Sequence, residues 1–124
     1  MTPTQRLDAT FAALADPTRR AILARLATGD ASVNELAEPF QISQPAISRH
    51  LKVLERAGLI SQGQDKQKRP RRIEGKPLEA AGQWIERLKE IWERNYQRLD
   101  ALLEELKRTT PRASSPKTKK EEKR

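Results

Sequence analysis

The stretch from Ser43 to Gly58 most limits how this chain can fold, because it specifies one helix from start to end. Ser43 is a favourable N-cap, and Pro45 falls in the first turn, where a missing backbone N–H costs nothing. Apolar residues then recur at the spacing of one buried helical stripe; they are Ile47, Leu51 and Leu54. Gly58 is suited to cap the C-terminus. The stretch therefore predicts an amphipathic helix over residues 43–57.

The face opposite that stripe carries amides, hydroxyls and cations. At about 100° per residue, Pro45, Arg49, Lys52 and Arg56 lie opposite Ile47, with Ser48 on their flank and Gln44 at the exposed tip of the helix. Gln and Arg side chains reach base edges with two hydrogen bonds, and Ser and Lys suit bases or phosphates. The pattern predicts a helix that reads the major groove of DNA. An ordinary amphipathic surface helix is the alternative interpretation.

Three shorter helices are predicted before this one, over about residues 7–15, 17–28 and 32–40, after a frayed segment 1–6. Asp16 and Ser32 are the N-caps of the second and third, and Glu35 completes a capping box with Ser32. Two short helices and a tight connection, followed by a helix with a polar outer face, are the order of a helix-turn-helix. A plain three-helix core without a ligand is the other possibility.

A basic segment follows the recognition helix. Leu59–Gln62 and Pro70–Ile73 predict two strands, with a polar turn, Asp65–Arg69, between them. Residues 64–76 hold six Lys or Arg against two acids. A basic hairpin in this position predicts a wing whose cations contact phosphates or a minor groove; they are Lys66, Lys68, Arg69, Arg71 and Arg72. A solvated charged loop is the alternative.

The last predicted element is a long helix over residues 76–108. Its apolar positions follow a heptad pattern; they are Leu78, Ala81, Ile85, Leu88, Trp92, Leu99, Leu102 and Leu106, with Asn95 in one slot. One short domain cannot cover such a stripe along ~45 Å of helix. The pattern therefore predicts a second copy related by a two-fold axis. The competing interpretation is a small-molecule pocket lined by Trp84, Trp92 and Tyr96.

Length and composition bound the broader class. A chain of 124 residues has room for one domain, placed at 1–108, before a basic Pro/Ser/Lys-rich tail, 109–124, that is expected to be disordered. The sequence has no cysteine and no apolar run long enough for a signal peptide or a membrane span, so a cytoplasmic location without a membrane partner is expected. The net charge of +8 lies in two patches, residues 64–76 and 112–124, which indicates a polyanionic partner.

The sequence contains few candidate catalytic residues. It contains one histidine, no glycine-rich phosphate loop and no grouping of nucleophile, histidine and acid. Scattered surface carboxylates are poor candidates for acid–base chemistry. We therefore expect no enzymatic activity and no cofactor.

Two motifs carry a family resemblance: residues 15–23 read ADPTRRAIL, and residues 43–59 read SQPAISRHLKVLERAGL, with Leu36–Ala37 between them. Together they resemble the arsenic-repressor (ArsR) family of bacterial transcriptional regulators. The resemblance extends over about residues 7–106. It implies a mainly α (α+β) fold, a winged helix-turn-helix with a two-stranded wing and a long C-terminal dimerisation helix. It also implies a homodimeric repressor that binds a palindromic operator through the 43–57 helix and the 64–73 wing.

The resemblance also assigns residues to surfaces. The family's DNA contacts fall on Gln44, Pro45, Ser48 and Arg49, with Lys68, Arg69 and Arg71 from the wing. The dimer surface falls on the first and last helices, at Leu7, Phe11, Leu14, Leu78, Ile85, Leu88, Trp92, Leu99, Leu102 and Leu106.

The sequence departs from the metal-sensing members of that family. Residues 34–39, before the recognition helix, contain no thiolate, and the last helix contains no histidine. His50, beside the buried face of the recognition helix, is interpreted as structural. The chain therefore resembles the metal-independent members, with no metal site and an unidentified small-molecule effector left open. The alternative function is a winged-helix protein-interaction module, which would be expected to lack a basic wing.

Overall fold

The computed structural model describes residues 1–63 and 69–109. Its elements, in chain order, are α1 (Pro3–Leu14), α2 (Pro17–Leu26), α3 (Val33–Ala37), a 3₁₀ turn (Glu38–Phe40), α4 (Gln44–Arg56), β1 (Ile60–Gln62), β2 (Arg71–Ile73) and α5 (Gly75–Thr109). This is a winged helix-turn-helix with α4 at the position of the recognition helix, and it confirms the predicted fold class. Lys66 and Lys68 of the predicted turn, and the tail beyond Thr109, lie outside the described residues.

The first helix begins earlier than predicted. The Thr2 hydroxyl accepts a hydrogen bond from the backbone N–H of Gln5 at 3.1 Å, and the backbone N–H of Thr2 donates to Oε1 of Gln5 at 3.0 Å. This capping box, with Pro3 at the first helical position, starts α1 four residues before its apolar stripe. The expectation that residues 1–6 fray was therefore wrong.

The other predicted helix caps are confirmed. Asp16 accepts from the backbone N–H of Arg19 at 3.0 Å, and Ser32 forms its capping box with Glu35. The Ser43 hydroxyl accepts from the backbone N–H of Ala46 at 3.3 Å at the start of α4. Gly58 follows α4 with φ at 77°, a conformation that glycine adopts at little cost.

The core of the first compact unit, Met1–Trp84, forms where α2, α3, α4 and β1 meet. The largest side chains that are almost completely buried are Ile22, Leu26, Leu36, Ile47, Leu51, Leu54 and Leu59. The predicted stripe of α4 is therefore buried, with each such side chain contributing roughly 1.5–3 kcal/mol. This burial holds one face of α4 and leaves its other face in solvent.

The two strands form an antiparallel pair in the register Ile60 to Ile73, Ser61 to Arg72 and Gln62 to Arg71. Ala31 adds a rung on the other edge of β2, where its backbone exchanges hydrogen bonds of 2.7 and 3.1 Å with Arg71. The base of the wing is thus joined to the segment between α2 and α3.

The second compact unit is Ile85–Arg124, of which residues 85–109 are described as the continuation of α5. None of residues 85–109 is buried, although the apolar stripe runs through them. The predicted domain boundary at residue 108 remains a prediction. Among the described helices, none has both the length and the apolar character needed to cross a membrane.

Candidate nucleic-acid interface

The polar face of α4 is exposed as predicted. The burial of Ile47, Leu51 and Leu54 turns the opposite side of the helix to solvent. All five predicted contacts are exposed, with Gln44 at the first turn of α4 and Pro45, Ser48, Arg49 and Lys52 on the side away from the core. Their contact with DNA stays a prediction.

Gln44, at the first turn of α4, is held by a residue that the sequence reasoning missed. Its side-chain Nε2 donates to Oδ1 of Asn34 on α3. The two residues are ten positions apart, and only the crossing of α3 and α4 brings them together. A side-chain amide that is tethered in this way loses less conformational freedom when it binds a base edge.

The described cations of the wing occupy two different environments. Arg69 is exposed, with φ at 43°, and Arg72 is exposed with its Nη2 at 3.4 Å from Oδ2 of Asp30. Arg71 differs, because only 13% of its side chain is exposed. The predicted contact of Arg71 with DNA stays a prediction, although its side chain is much less accessible than that of Arg72.

The environment of Arg71 explains the difference. Its Nε lies 3.8 Å from Oε2 of Glu55 on α4 and has no hydrogen-bond partner among the described residues, while its Nη1 donates to the carbonyl of Arg69. Gln62, its partner in the strand register, donates to the same Glu55 oxygen at 2.8 Å. Arg71 and Gln62 thus join the wing to the recognition helix through Glu55.

His50 lies on α4 against the start of α2, in agreement with its structural interpretation. Its Nδ1 is 3.4 Å from Nη1 of Arg19 and 3.8 Å from Oδ2 of Asp16. Because the guanidinium can only donate, a hydrogen bond between the two side chains has Nδ1 as its acceptor. The backbone N–H of Arg19 lowers the pKa of the Asp16 carboxyl, and the nearby His50 and Arg19 side chains add to this effect, while burial opposes it.

The predicted dimer residues fall into two groups. In the first unit, Leu14 and Leu78 are partly buried against the core of their own chain, and the Phe11 ring contacts Trp84 edge-on at a centroid distance of 5.8 Å. Leu7, also in α1, is half-buried. The others lie on α5 in the second unit with about half of each side chain exposed; they are Ile85, Leu88, Trp92, Leu99, Leu102 and Leu106.

The aromatic residues of the proposed small-molecule pocket have different neighbours. Trp84 contacts Phe11 within the first unit, whereas Trp92 stacks on Tyr96 within the second, with ring centroids 5.4 Å apart. In the described ranges, 1–63 and 69–109, no group of three or more His, Asp or Glu side chains could hold a metal ion.

Comparison with known proteins gives the same fold and motif. The model of the "Bacterial regulatory protein, arsR family" matches residues 16–62, from the N-cap of α2 to the end of β1. The HTH-type transcriptional regulator Rv2034 of Mycobacterium tuberculosis is 55% identical over 53 residues, which are 43% of this chain and 50% of that protein. The transcriptional repressor SdpR of Bacillus subtilis is 51% identical over 51 residues, which are 41% and 57% of the two chains.

These alignments span only about half the length of the curated relatives. A solved structure extends the similarity to most of the fold. The crystal structure of an ArsR family transcriptional regulator superposes with a TM-score of 0.68 and 40% identity, over 74% of this chain and 95% of that one. The predicted resemblance is thereby confirmed, and the chain belongs to the ArsR family of bacterial regulatory proteins.

Proposed function

We propose that this protein is a homodimeric, sequence-specific DNA-binding transcriptional repressor. The observation that carries the proposal is the division of α4 into two faces. One face is buried in the core, whereas the other exposes Ser48, Arg49 and Lys52, with Gln44 exposed at the first turn and no carboxylate among them. Such a helix fits the major groove of DNA, which admits one α-helix and distinguishes base pairs by their donors and acceptors.

Each exposed side chain has a separate role in this proposal. Gln44, Ser48 and Arg49 read base edges, with Pro45 at the tip of the helix against the groove wall. Lys52, together with Arg69 and Arg72 of the wing, neutralises phosphates, and Lys66 and Lys68 share that role on the sequence pattern. Arg71 acts indirectly, because its contact with Glu55 fixes the wing against α4.

Two copies of the chain would pair through the apolar stripe of α5 with help from α1. Nine large hydrophobic side chains from Ile85 to Leu106 remain about half exposed in a single copy. A two-fold axis then presents two recognition helices about one helical turn of DNA apart, ~34 Å, to a palindromic operator. Occupation of that site blocks a promoter sterically. The repressing sign of the effect is supported by the relative named a transcriptional repressor.

The proposal includes no catalytic step and no cofactor, and it places the protein in the cytoplasm with DNA. The one histidine of the sequence contacts Arg19 and Asp16 inside the fold. A protein-interaction module would be expected to carry an apolar or acidic surface in place of the polar face of α4. RNA fits less well, because its deep and narrow major groove excludes a rigid helix.

Selection of bound fragments from random duplex DNA at near-physiological salt tests this proposal. We expect a two-fold symmetric motif, with binding that weakens as salt rises because phosphate contacts release counterions. Arg49→Ala should abolish enrichment of the motif while circular dichroism reports an unchanged melting transition. Arg94→Ala is the matched control, since it removes the same charge from an exposed position on α5. Failure of the unsubstituted protein to enrich any motif would favour the interaction-module function.

A further inference from the structure

The end of α1 is capped by two arginines of α2. The last carbonyls of a helix have no partner within the helix, and cationic side chains can satisfy them. Arg19 donates from Nε to the carbonyl of Ala13 at 2.7 Å and from Nη2 to the carbonyl of Ala12 at 3.2 Å. Arg20 donates from Nη1 to the carbonyl of Leu14 at 2.8 Å. Both arginines therefore join α2 to α1.

Arg19 differs from Arg20 by a contact with the recognition helix. Its remaining nitrogen, Nη1, lies 3.4 Å from Nδ1 of His50, and Asp16 lies 3.8 Å from the same ring nitrogen. His50 directly follows Arg49, and 24% of its side chain is exposed. One guanidinium is thus bound to two carbonyls of α1 and to the edge of α4.

This contact supplies a constraint that the core does not. The buried stripe of Ile47, Leu51 and Leu54 sets which side of α4 faces the core, but the hydrophobic effect is not directional, whereas a hydrogen bond also depends on angle. The guanidinium is planar, and its donors have fixed directions. With two of its nitrogens bound to backbone carbonyls, the third defines where His50 sits and therefore how α4 is rotated about its axis.

We propose that Arg19 is a positioning residue for DNA recognition, which orients α4 through His50 without touching DNA. This inference rests on the proposed function, since it concerns how that same helix is presented. Base-edge hydrogen bonds need close alignment, whereas flexible cations still reach phosphates when a helix rotates slightly. Loss of the contact therefore weakens binding to the selected motif and leaves binding to unrelated DNA almost unchanged.

Arg19→Lys is the sharpest test, because it keeps the charge but cannot reach two carbonyls and His50 together. We expect specific affinity to fall about tenfold, the equivalent of one hydrogen bond to a charged group, with unchanged non-specific affinity and salt dependence. Arg20→Lys is the matched control, since Arg20 caps the same helix end through its contact with Leu14. It should bind the motif like the unsubstituted protein.

A double-mutant cycle tests whether the effect of Arg19 on motif binding depends on its contact with His50. If Arg19 acts through His50, adding Arg19→Lys to His50→Ala weakens motif binding little beyond His50→Ala alone. All affinities are measured well below each variant's melting transition, and His50→Ala alone tests the contact if Arg19→Lys does not fold. Equal effects of Arg19→Lys and Arg20→Lys, additive effects in the cycle, or a parallel loss of non-specific binding would overturn the inference.

The two proposals fail in different ways. A protein that enriches a motif whose binding is insensitive to Arg19→Lys contradicts only the positioning role. A protein that enriches no motif contradicts the proposed function, and the positioning role with it.

Discussion

Leu99→Ala should weaken the dimer by an amount that follows from its exposure. Leu99 lies on the stripe of α5 with 56% of its surface exposed in a single copy. Burying a whole leucine side chain contributes roughly 1.5–3 kcal/mol, so covering the exposed half contributes roughly 0.8–1.5 kcal/mol. A two-fold axis buries it twice, for about 1.5–3 kcal/mol per dimer. The dissociation constant should therefore rise about 10- to 150-fold.

Sedimentation equilibrium over a range of protein concentrations measures this change. Alanine has the highest helix propensity, so the substitution leaves α5 helical, and circular dichroism checks that point. Gln97→Ala is the matched control, because Gln97 lies on the other side of α5 and is also exposed. An identical dissociation constant for Leu99→Ala and the unsubstituted protein would refute the argument that this stripe pairs two copies.

Three other outcomes test the core, a helix cap and the wing. Ile47→Ala should cost about 2–5 kcal/mol of unfolding free energy, because the side chain is completely buried and leaves a cavity; a urea titration that detects no loss would contradict this packing. The pKa of Asp16 is lowered in the fold, so its ionised form stabilises the protein above its ordinary pKa of 3.8 and this contribution disappears as pH falls through the lowered value. Asp16→Ala should therefore lower the melting temperature at pH 7, and the gap in melting temperature between the variant and the unsubstituted protein should narrow below pH 3.8. A gap that stays constant from pH 7 into acid would contradict the stabilising role of the ionised Asp16 carboxyl. Arg69→Ala should reduce the salt dependence of DNA binding by about one phosphate contact. Arg71→Ala should instead reduce thermal stability and leave the salt dependence of DNA binding unchanged. Equal salt dependence of DNA binding in the two variants would contradict this separation of roles.

The local features of the fold were predictable because short-range chemistry determines them. Asp16, Ser32 and Ser43 each precede a helix and bind its first free N–H groups, as their side chains predict from neighbouring residues alone. The stripe of α4 was likewise predictable from spacing. The start of α1 was missed because its capping box at Thr2 and Gln5 precedes any apolar periodicity.

The features that sequence reasoning missed depend on contacts between distant residues. Arg71 and Arg72 are adjacent cations in the sequence, yet they point to opposite faces of β2, as the alternation of a strand requires. The strand register then places Arg71 beside Gln62, where Glu55 of α4 is close. The contact between Arg19 and His50 was not predicted, because the two residues are 31 positions apart in the sequence and meet only in the folded protein.

The part of the chain that the family model matches and the parts that it does not match have different proposed roles. Residues 16–62 contain α3, α4 and the caps that hold them, so the part that we propose to read a half-site is the part matched by the family model. The helices proposed to pair two copies, α1 and most of α5, lie outside that match. Half-site sequence depends on the exposed face of α4, whereas the distance between half-sites depends on how two copies pair. We therefore expect relatives that share Gln44, Ser48 and Arg49 to share half-site preference, while differences along the stripe of α5 change the spacing. Arg19 connects the two parts physically, since one side of its guanidinium binds α1 and the other contacts His50 on α4.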